Sequence, residues 1–248
     1  MKKILAIAFL PLALLLLLTA SKPAAKNPAV LIYTKTNGYH HASIPLGVEA
    51  IKKLGAAHGF DVVSTDDSLA FNKKNLKKYA AIIFLSTTGK VLGTEEEKAF
   101  QDYIHHGGGW VGIHAATDCE YNWPWYNKLA GGWFKSHPKQ QEAKLIIVNK
   151  NHPSTAELPD TWTRKDEWYN FKDLNPDVTV LIKIDETSYS GGENGSNHPM
   201  AWYHSYDGGR AFYTELGHTD ESYSDPLYLK HILGGIEYAM GKKLIMDN

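Results

Sequence analysis

The residues of this chain best suited to chemistry are its histidines. There are twelve in 248 residues. Seven of them, His41, His114, His137, His152, His198, His204 and His218, fall where a strand run gives way to a loop. Imidazole moves protons near neutral pH and ligates divalent metals, and loops at strand ends are where rigid scaffolds carry functional groups. His58, His105, His106 and His231 sit within or at the ends of helical segments, where solvated or capping rings are expected. His137, His152 and His198 each precede a proline, which holds the preceding residue extended. The segment Gly107–Asp118 gives His114 the most pointed placement. A glycine turn and a short apolar strand lead into Gly112-Ile113-His114-Ala115-Ala116, a nucleophile-elbow shape with an imidazole at its apex.

The acids near these segments are Asp118, Asp166, Glu167, Glu215 and Asp220. Glu167 lies in Arg164-Lys165-Asp166-Glu167-Trp168-Tyr169, where adjoining aromatics would bury it and raise its pKa, suiting general acid or base work. The structural alternative is a strand-edge charge paired with Arg164. Glu215 and His218 are three apart after an apolar strand. No His-x-x-x-His, cysteine pair or phosphate loop occurs, so neither a metal signature of fixed spacing nor a nucleotide motif is present. Scattered His and Glu that converge in space remain compatible with a divalent metal, whose ligands the sequence leaves unknown. Tyr121, Trp123, Trp125, Tyr126, Trp133 and Phe134 follow His114 closely. They could stack sugar rings, or form a lid or subunit interface.

The elements that must position these groups alternate in the first half. Strand runs at 29–33, 60–65, 80–85 and 109–114 are separated by helical patterns at 43–58 and 94–105 and a short polar helix or turn at 71–78. Thr94 and Glu97 have capping-box spacing. The second half is less regular, with strands at 144–148, 178–184, 200–206 and 210–214, a hairpin turn at Asp207-Gly208-Gly209 and a closing helix opened by Asp225-Pro226. The pattern predicts an α/β fold with a doubly wound, mostly parallel sheet and an antiparallel hairpin addition near 200–214.

Lys2 and Lys3 followed by the apolar run Ile4–Leu18 read as a signal peptide over 1–20, so the chain is expected to be exported, periplasmic or secreted, with no stable membrane insertion after cleavage. Residues 21–28 read as a flexible lead-in, 29–241 as a single domain and 242–248 as a tail. Cys119 is the only cysteine, which excludes an intramolecular disulfide. A net charge of −1 without a basic run argues against nucleic acid as a partner. Monomer and homo-oligomer both stay open.

Six motifs in order resemble the ThuA-like (trehalose utilisation) family. They are Thr34–Ile44, Gly107–Asp118, Phe134–Pro138, Asp166–Tyr169, His198–Trp202 and Leu216–His218. The resemblance implies a class I glutamine amidotransferase-like, flavodoxin-like fold over most of the chain and a small-molecule carbohydrate as ligand, a disaccharide, glucoside or 3-keto derivative. His41, His114, His198 and His218 match the family's recurring histidines, and Glu167 its recurring acid; these are the expected catalytic residues. Tyr39, Asp118, Trp123, Trp125 and Trp202 are the expected sugar-binding ones. A glutaminase elbow would carry cysteine where His114 stands, so glutamine hydrolysis is not expected. Three readings remain: a sugar hydrolase or lyase using acid/base chemistry, with or without metal; a non-catalytic sugar-binding or scaffold protein; and a metal-dependent hydrolase of another small molecule.

Overall fold

Three apolar runs, β1 (Ala29–Tyr33), β3 (Ala81–Leu85) and β4 (Gly109–Ile113), have almost no exposed residue, the pattern of strands covered on both faces. They form the centre of a nine-stranded sheet in a computed structural model that describes residues 27–242 and residue 244. The expected leader 1–20, most of the lead-in and most of the tail lie outside the described residues. Among the described residues, no helix is long and apolar enough to cross a membrane.

The remaining strands are β2 (Asp61–Thr65), β5 (Trp133–Ser136), β6 (Gln141–Ile147), β7 (Thr161–Asp166), β8 (Asn170–Lys172), β9 (Thr179–Ile184), β10 (Pro199–Tyr206) and β11 (Gly209–Thr214). The order in the large sheet is β2-β1-β3-β4-β11-β10-β9-β6-β7. From β2 to β11 all neighbours run parallel, in the flavodoxin-like 2-1-3-4 sequence of a doubly wound sheet. The helices α1 (Ile44–His58) and α5 (Pro226–Ala239) pack together on one face, and α3 (Thr94–His105) and α4 (Pro124–Ala130) reach the sheet from the other, with the short α2 (Lys73–Leu76) against α3.

The expected antiparallel hairpin is β10–β11, turned by Asp207 and Gly208 at φ 47° and 87°. Antiparallel pairing then continues through β9, β6 and β7. The alternation means that β4, β7 and β11 all end on the same side of the sheet. β5 and β8 form a separate two-stranded sheet. The sequence reading missed α4, β5, β7 and β8. In β7 the buried positions include Trp162 and the charged Asp166 while Thr161, Thr163 and Lys165 face solvent, so no apolar run marks it.

Several local expectations are corrected. Thr94 lies inside α3 and Gly93 is its N-cap without a side-chain bond, so no capping box forms; Glu97 pairs with Lys90 at 2.6 Å. His204 lies within β10, its Nε2 donating to the Lys128 carbonyl at 2.9 Å. His231 is neither solvated nor capping: it is buried in α5, with Nδ1 donating to the Ser154 carbonyl and Nε2 accepting from the Thr214 hydroxyl, each at 3.0 Å. His152 is a core ring stacked on Phe212 with centroids 5.6 Å apart. Asp225 does cap α5, accepting from Leu227 N at 2.9 Å.

Candidate functional site

Ligands of open α/β sheets gather beyond the carboxyl ends of the strands. Here β1 leads to His41, β4 to His114, β7 to Glu167 and β11 to His218. The turn after β4 is what raises His114 out of the sheet. Its φ of +53° is the left-handed conformation that costs a non-glycine residue about 1–3 kcal/mol and is held by its surroundings. The ring is fixed by Nδ1, which donates to the Glu215 carbonyl on the neighbouring strand end at 2.8 Å. A carbonyl only accepts, so Nδ1 carries the hydrogen and Nε2 points into the site.

Four groups meet that Nε2. His41 Nε2 is 3.1 Å away, His218 Nδ1 3.0 Å, the Tyr169 hydroxyl 3.2 Å and Glu167 Oε2 3.5 Å. Glu167 Oε2 also lies 3.1 Å from His218 Nδ1, and its Oε1 lies 3.2 Å from His137 Nδ1. His114 is fully buried, and the His137 and His218 side chains keep 43% and 14% of their exposure, so the cluster opens on the His137 side. Tyr39, 66% exposed, stands edge-on to His41 at 4.8 Å.

Asp166 ties the loops together. Its carboxylate, fully buried, accepts from the backbone N–H groups of Glu167 (3.0 Å), Gly217 (3.2 Å) and His218 (3.2 Å), and from Arg164 at 3.1 Å. One side chain therefore sets the backbone of the acid and of one imidazole. Arg164 pairs with Asp166, not Glu167, and its guanidinium lies over the Trp162 and Tyr228 rings. Gly217 is required at its position: φ is +116°, and a Cβ would lie 2.3 Å from the Tyr228 hydroxyl oxygen.

Burial, then the neighbouring imidazoles of His114 and His218, push the His41 pKa down to about 2. For Glu167, burial alone would raise the pKa, but the neighbouring imidazoles of His114 and His218 outweigh it and hold the carboxyl well below the usual range. Burial likewise works to lower His218, and the bond to Glu167 reverses it, leaving its pKa raised. The expectation that aromatics would raise the Glu167 pKa is thus overturned by the imidazoles. Burial also raises the pKa of Glu215, reinforced by the charges of Asp166 and Glu167; its Oε2 has no partner.

Other expected site residues lie elsewhere. His198 is buried behind Tyr169, with Nε2 on the Tyr169 carbonyl and Nδ1 on Glu186 Oε1, each at 2.7 Å, so both nitrogens are occupied in fixing a loop. Trp202 is fully buried and donates to the Ala130 carbonyl, which leaves no face for a sugar. Trp125 donates to Asp207 at 2.9 Å, at the amino end of β11 and away from His114, and Trp123 stacks on Trp125 at 4.9 Å. These three tryptophans do not form a platform at the cluster. Asp118 is half-buried, accepts from Tyr121 at 2.6 Å, and is near enough for the charges of His114 and His137 to act on it; burial raises its pKa. Tyr169, His137 and Asp166 were missed as site residues, although each stood in a quoted motif; the signal was their adjacency to Glu167 or to a proline.

Among the described residues, the donor set that could hold a metal is His41, His114, Glu167 and His218, whose ligand atoms all lie within 4.8 Å of one another. Cys119 is remote from this chemistry: its thiol is hydrogen-bonded to the Thr87 hydroxyl, the Ala116 carbonyl and the Tyr126 hydroxyl, and burial pushes its pKa up to about 12.

A doubly wound α/β domain with an imidazole at the elbow and a His/Glu cluster beyond the strand ends defines the class: a glutamine amidotransferase-like fold without its cysteine. The chain belongs to the ThuA family, described as trehalose utilisation, which matches residues 29–239. It is 28% identical to a ThuA-like protein from Bacteroides uniformis ATCC 8492, with a TM-score of 0.75 over 91% of this chain and 96% of that one. A second ThuA-like protein, from Parabacteroides merdae ATCC 43184, is 22% identical, with a TM-score of 0.72 over 88% and 91%. The fold alone is shared with about a third of a β-galactosidase from Bacillus circulans sp. alkalophilus, at 13% identity and a TM-score of 0.55 over 88% of this chain and 32% of that one. No curated protein matches.

Proposed function

We propose that this chain is an exported carbohydrate-processing enzyme. Its substrate is a disaccharide or other glucoside, or a 3-keto derivative, and its reaction centre is the cluster around His114. The observation that carries this reading is the meeting of two imidazoles, a phenol and a carboxylate at His114 Nε2, beyond the strand ends of a family associated with trehalose utilisation. Isolated buried polar groups are costly, so such a concentration is retained where chemistry uses it.

On a 3-keto glucoside the ketone acidifies the C2 proton. Glu167 Oε1, on the open side of the cluster, accepts that proton. The C2–H electron pair forms the C1–C2 double bond, and the C1–O bond breaks towards the leaving group. His137, at hydrogen-bond distance from Glu167, protonates the departing oxygen. Addition of water across the double bond completes a net hydrolysis; release before that step makes the enzyme a lyase. Glutamine hydrolysis has no support, since the apex lacks a thiol and Cys119 is buried. Export rests on the Lys2–Lys3 start and the apolar run Ile4–Leu18.

The test is incubation of wild type and Glu167→Gln with trehalose, other glucosides and their 3-keto forms. Turnover by wild type and its loss in the variant support the reading. Sugar binding without turnover of any of them refutes the enzyme and favours the binding protein.

A further inference from the structure

The hydrogen bonds around His114 Nε2 do not close with protons alone. With Nδ1 committed to the Glu215 carbonyl, Nε2 of the neutral ring offers a single lone pair. His41 Nε2, His218 Nδ1 and the Tyr169 hydroxyl all lie within 3.0–3.2 Å of it. Even with the His218 hydrogen turned to Glu167 Oε2, 3.1 Å away, that one lone pair still faces two donors, His41 and Tyr169. His41 Nδ1 is buried with no partner, so its surroundings select no tautomer. A cation at the centre of the group resolves these conflicts, because each nitrogen then directs its lone pair at the ion.

We propose that His41 Nε2, His114 Nε2, His218 Nδ1 and Glu167 Oε2 form a binding site for one first-row divalent transition metal, zinc above all. The spacing fits. Zinc–nitrogen bonds of about 2.0–2.1 Å place tetrahedral ligands about 3.3–3.4 Å apart; four of the six separations, 3.0, 3.1, 3.1 and 3.5 Å, lie around that edge length, and the two from His41 to His218 and Glu167 stay within 4.8 Å. Three imidazoles with one carboxylate suit zinc, iron or nickel, whereas calcium and magnesium prefer all-oxygen shells. The outer groups are those a metal site uses to orient its ligands. The Glu215 carbonyl holds the far nitrogen of His114, and Asp166 holds the backbone of Glu167 and His218; His137 stands 3.2 Å from Glu167 Oε1. The opening on the His137 side leaves room for a substrate oxygen. The inference deepens the carbohydrate reading, on which its catalytic meaning rests: the ion would polarise a sugar carbonyl or hydroxyl oxygen while Glu167 Oε1 stays available for the proton.

The test is calorimetric titration of chelator-stripped full-length protein with zinc and separately with calcium, without sugar, alongside His114→Ala, His218→Ala and the surface control His58→Ala. One zinc per chain with a Kd of about 1 µM or tighter is expected. Losing an outer partner alone costs about 10–100-fold, so each ligand variant should weaken binding by about 100-fold or more, with His58→Ala unchanged. His218→Ala keeps the test decisive if the strained apex at His114 does not tolerate replacement. The proposal is overturned if no stoichiometric zinc binds, if calcium binds as tightly, or if folded ligand variants bind zinc as wild type does. Zinc binding without sugar turnover leaves the site standing and removes the carbohydrate reading. Full turnover by the stripped protein in chelator, with no zinc bound, does the reverse.

Discussion

Stability should fall steeply between pH 6.5 and pH 4, and His231 should account for a defined part of the slope. The ring is fully buried in α5 between the Ser154 carbonyl and the Thr214 hydroxyl. Burial, with the charge of Arg164 acting in the same sense and the Ser154 bond opposing, lowers its pKa from 6.5 to about 4. Above pH 6.5 the ring is neutral in both states and nothing is lost. Between 6.5 and 4 the unfolded chain binds a proton that the folded chain refuses, so stability declines as pH falls, and below 4 the loss levels off. At about 1.4 kcal/mol per pH unit, the loss from this ring approaches about 3 kcal/mol. His152, lowered to about 3 by burial and then by His231, acts in the same direction over pH 6.5 to 3. The measurement is urea unfolding of wild type and His231→Gln at closely spaced pH values from 7.5 to 4.5. Glutamine keeps a donor and an acceptor but does not titrate, and carboxylate contributions common to both proteins cancel. The variant's curve should be shallower by about 1 kcal/mol per pH unit within the window. Parallel curves would refute the buried neutral imidazole.

The left-handed apex predicts a trade-off: His114→Asn, a residue that tolerates positive φ, should leave Tm near or above wild type while abolishing sugar turnover. Gly217→Ala should destabilise by about 2 kcal/mol or more in chemical denaturation, because its Cβ meets the Tyr228 hydroxyl in a conformation alanine resists. Asp166→Ala leaves the buried Arg164 with only the more distant Asp225 carboxylate, at 3.6 Å, and three backbone donors unpaired, so a loss of about 3 kcal/mol is expected by the same assay. Tyr169→Phe removes one hydroxyl at His114 while keeping the ring against Phe134; its unfolding curve should stay within about 1.5 kcal/mol of wild type, while kcat drops.

The parallel half of the sheet was legible because its strands are buried on both faces and write themselves as unbroken apolar runs, as Ala81–Leu85 does. The antiparallel edge was not, because β7 buries an acid and a tryptophan between solvent-facing polar residues. At the site, His41, His114, Glu167 and His218 were picked out by motif and by position after strands, and the fold brings them together. What sequence does not carry is direction. Trp125 and His114 are eleven positions apart, yet Trp125, at the start of α4, carries its indole to the opposite end of the sheet, onto Asp207. His198 matched the pattern equally well, but both its nitrogens are spent on Tyr169 and Glu186. Asp166 drew less attention than Glu167 because its work is on backbone N–H groups, which side-chain spacing does not display.

The cluster around His114 is proposed as the centre at which a carbohydrate is transformed. The most direct measurement follows product formation from trehalose, other glucosides and their 3-keto forms by wild type, Glu167→Gln and His137→Ala, with and without added zinc. Turnover by wild type with a fall of about 100-fold or more in both variants is the predicted result. Sugars that bind but never react, or variants that turn them over as fast as wild type, would contradict it.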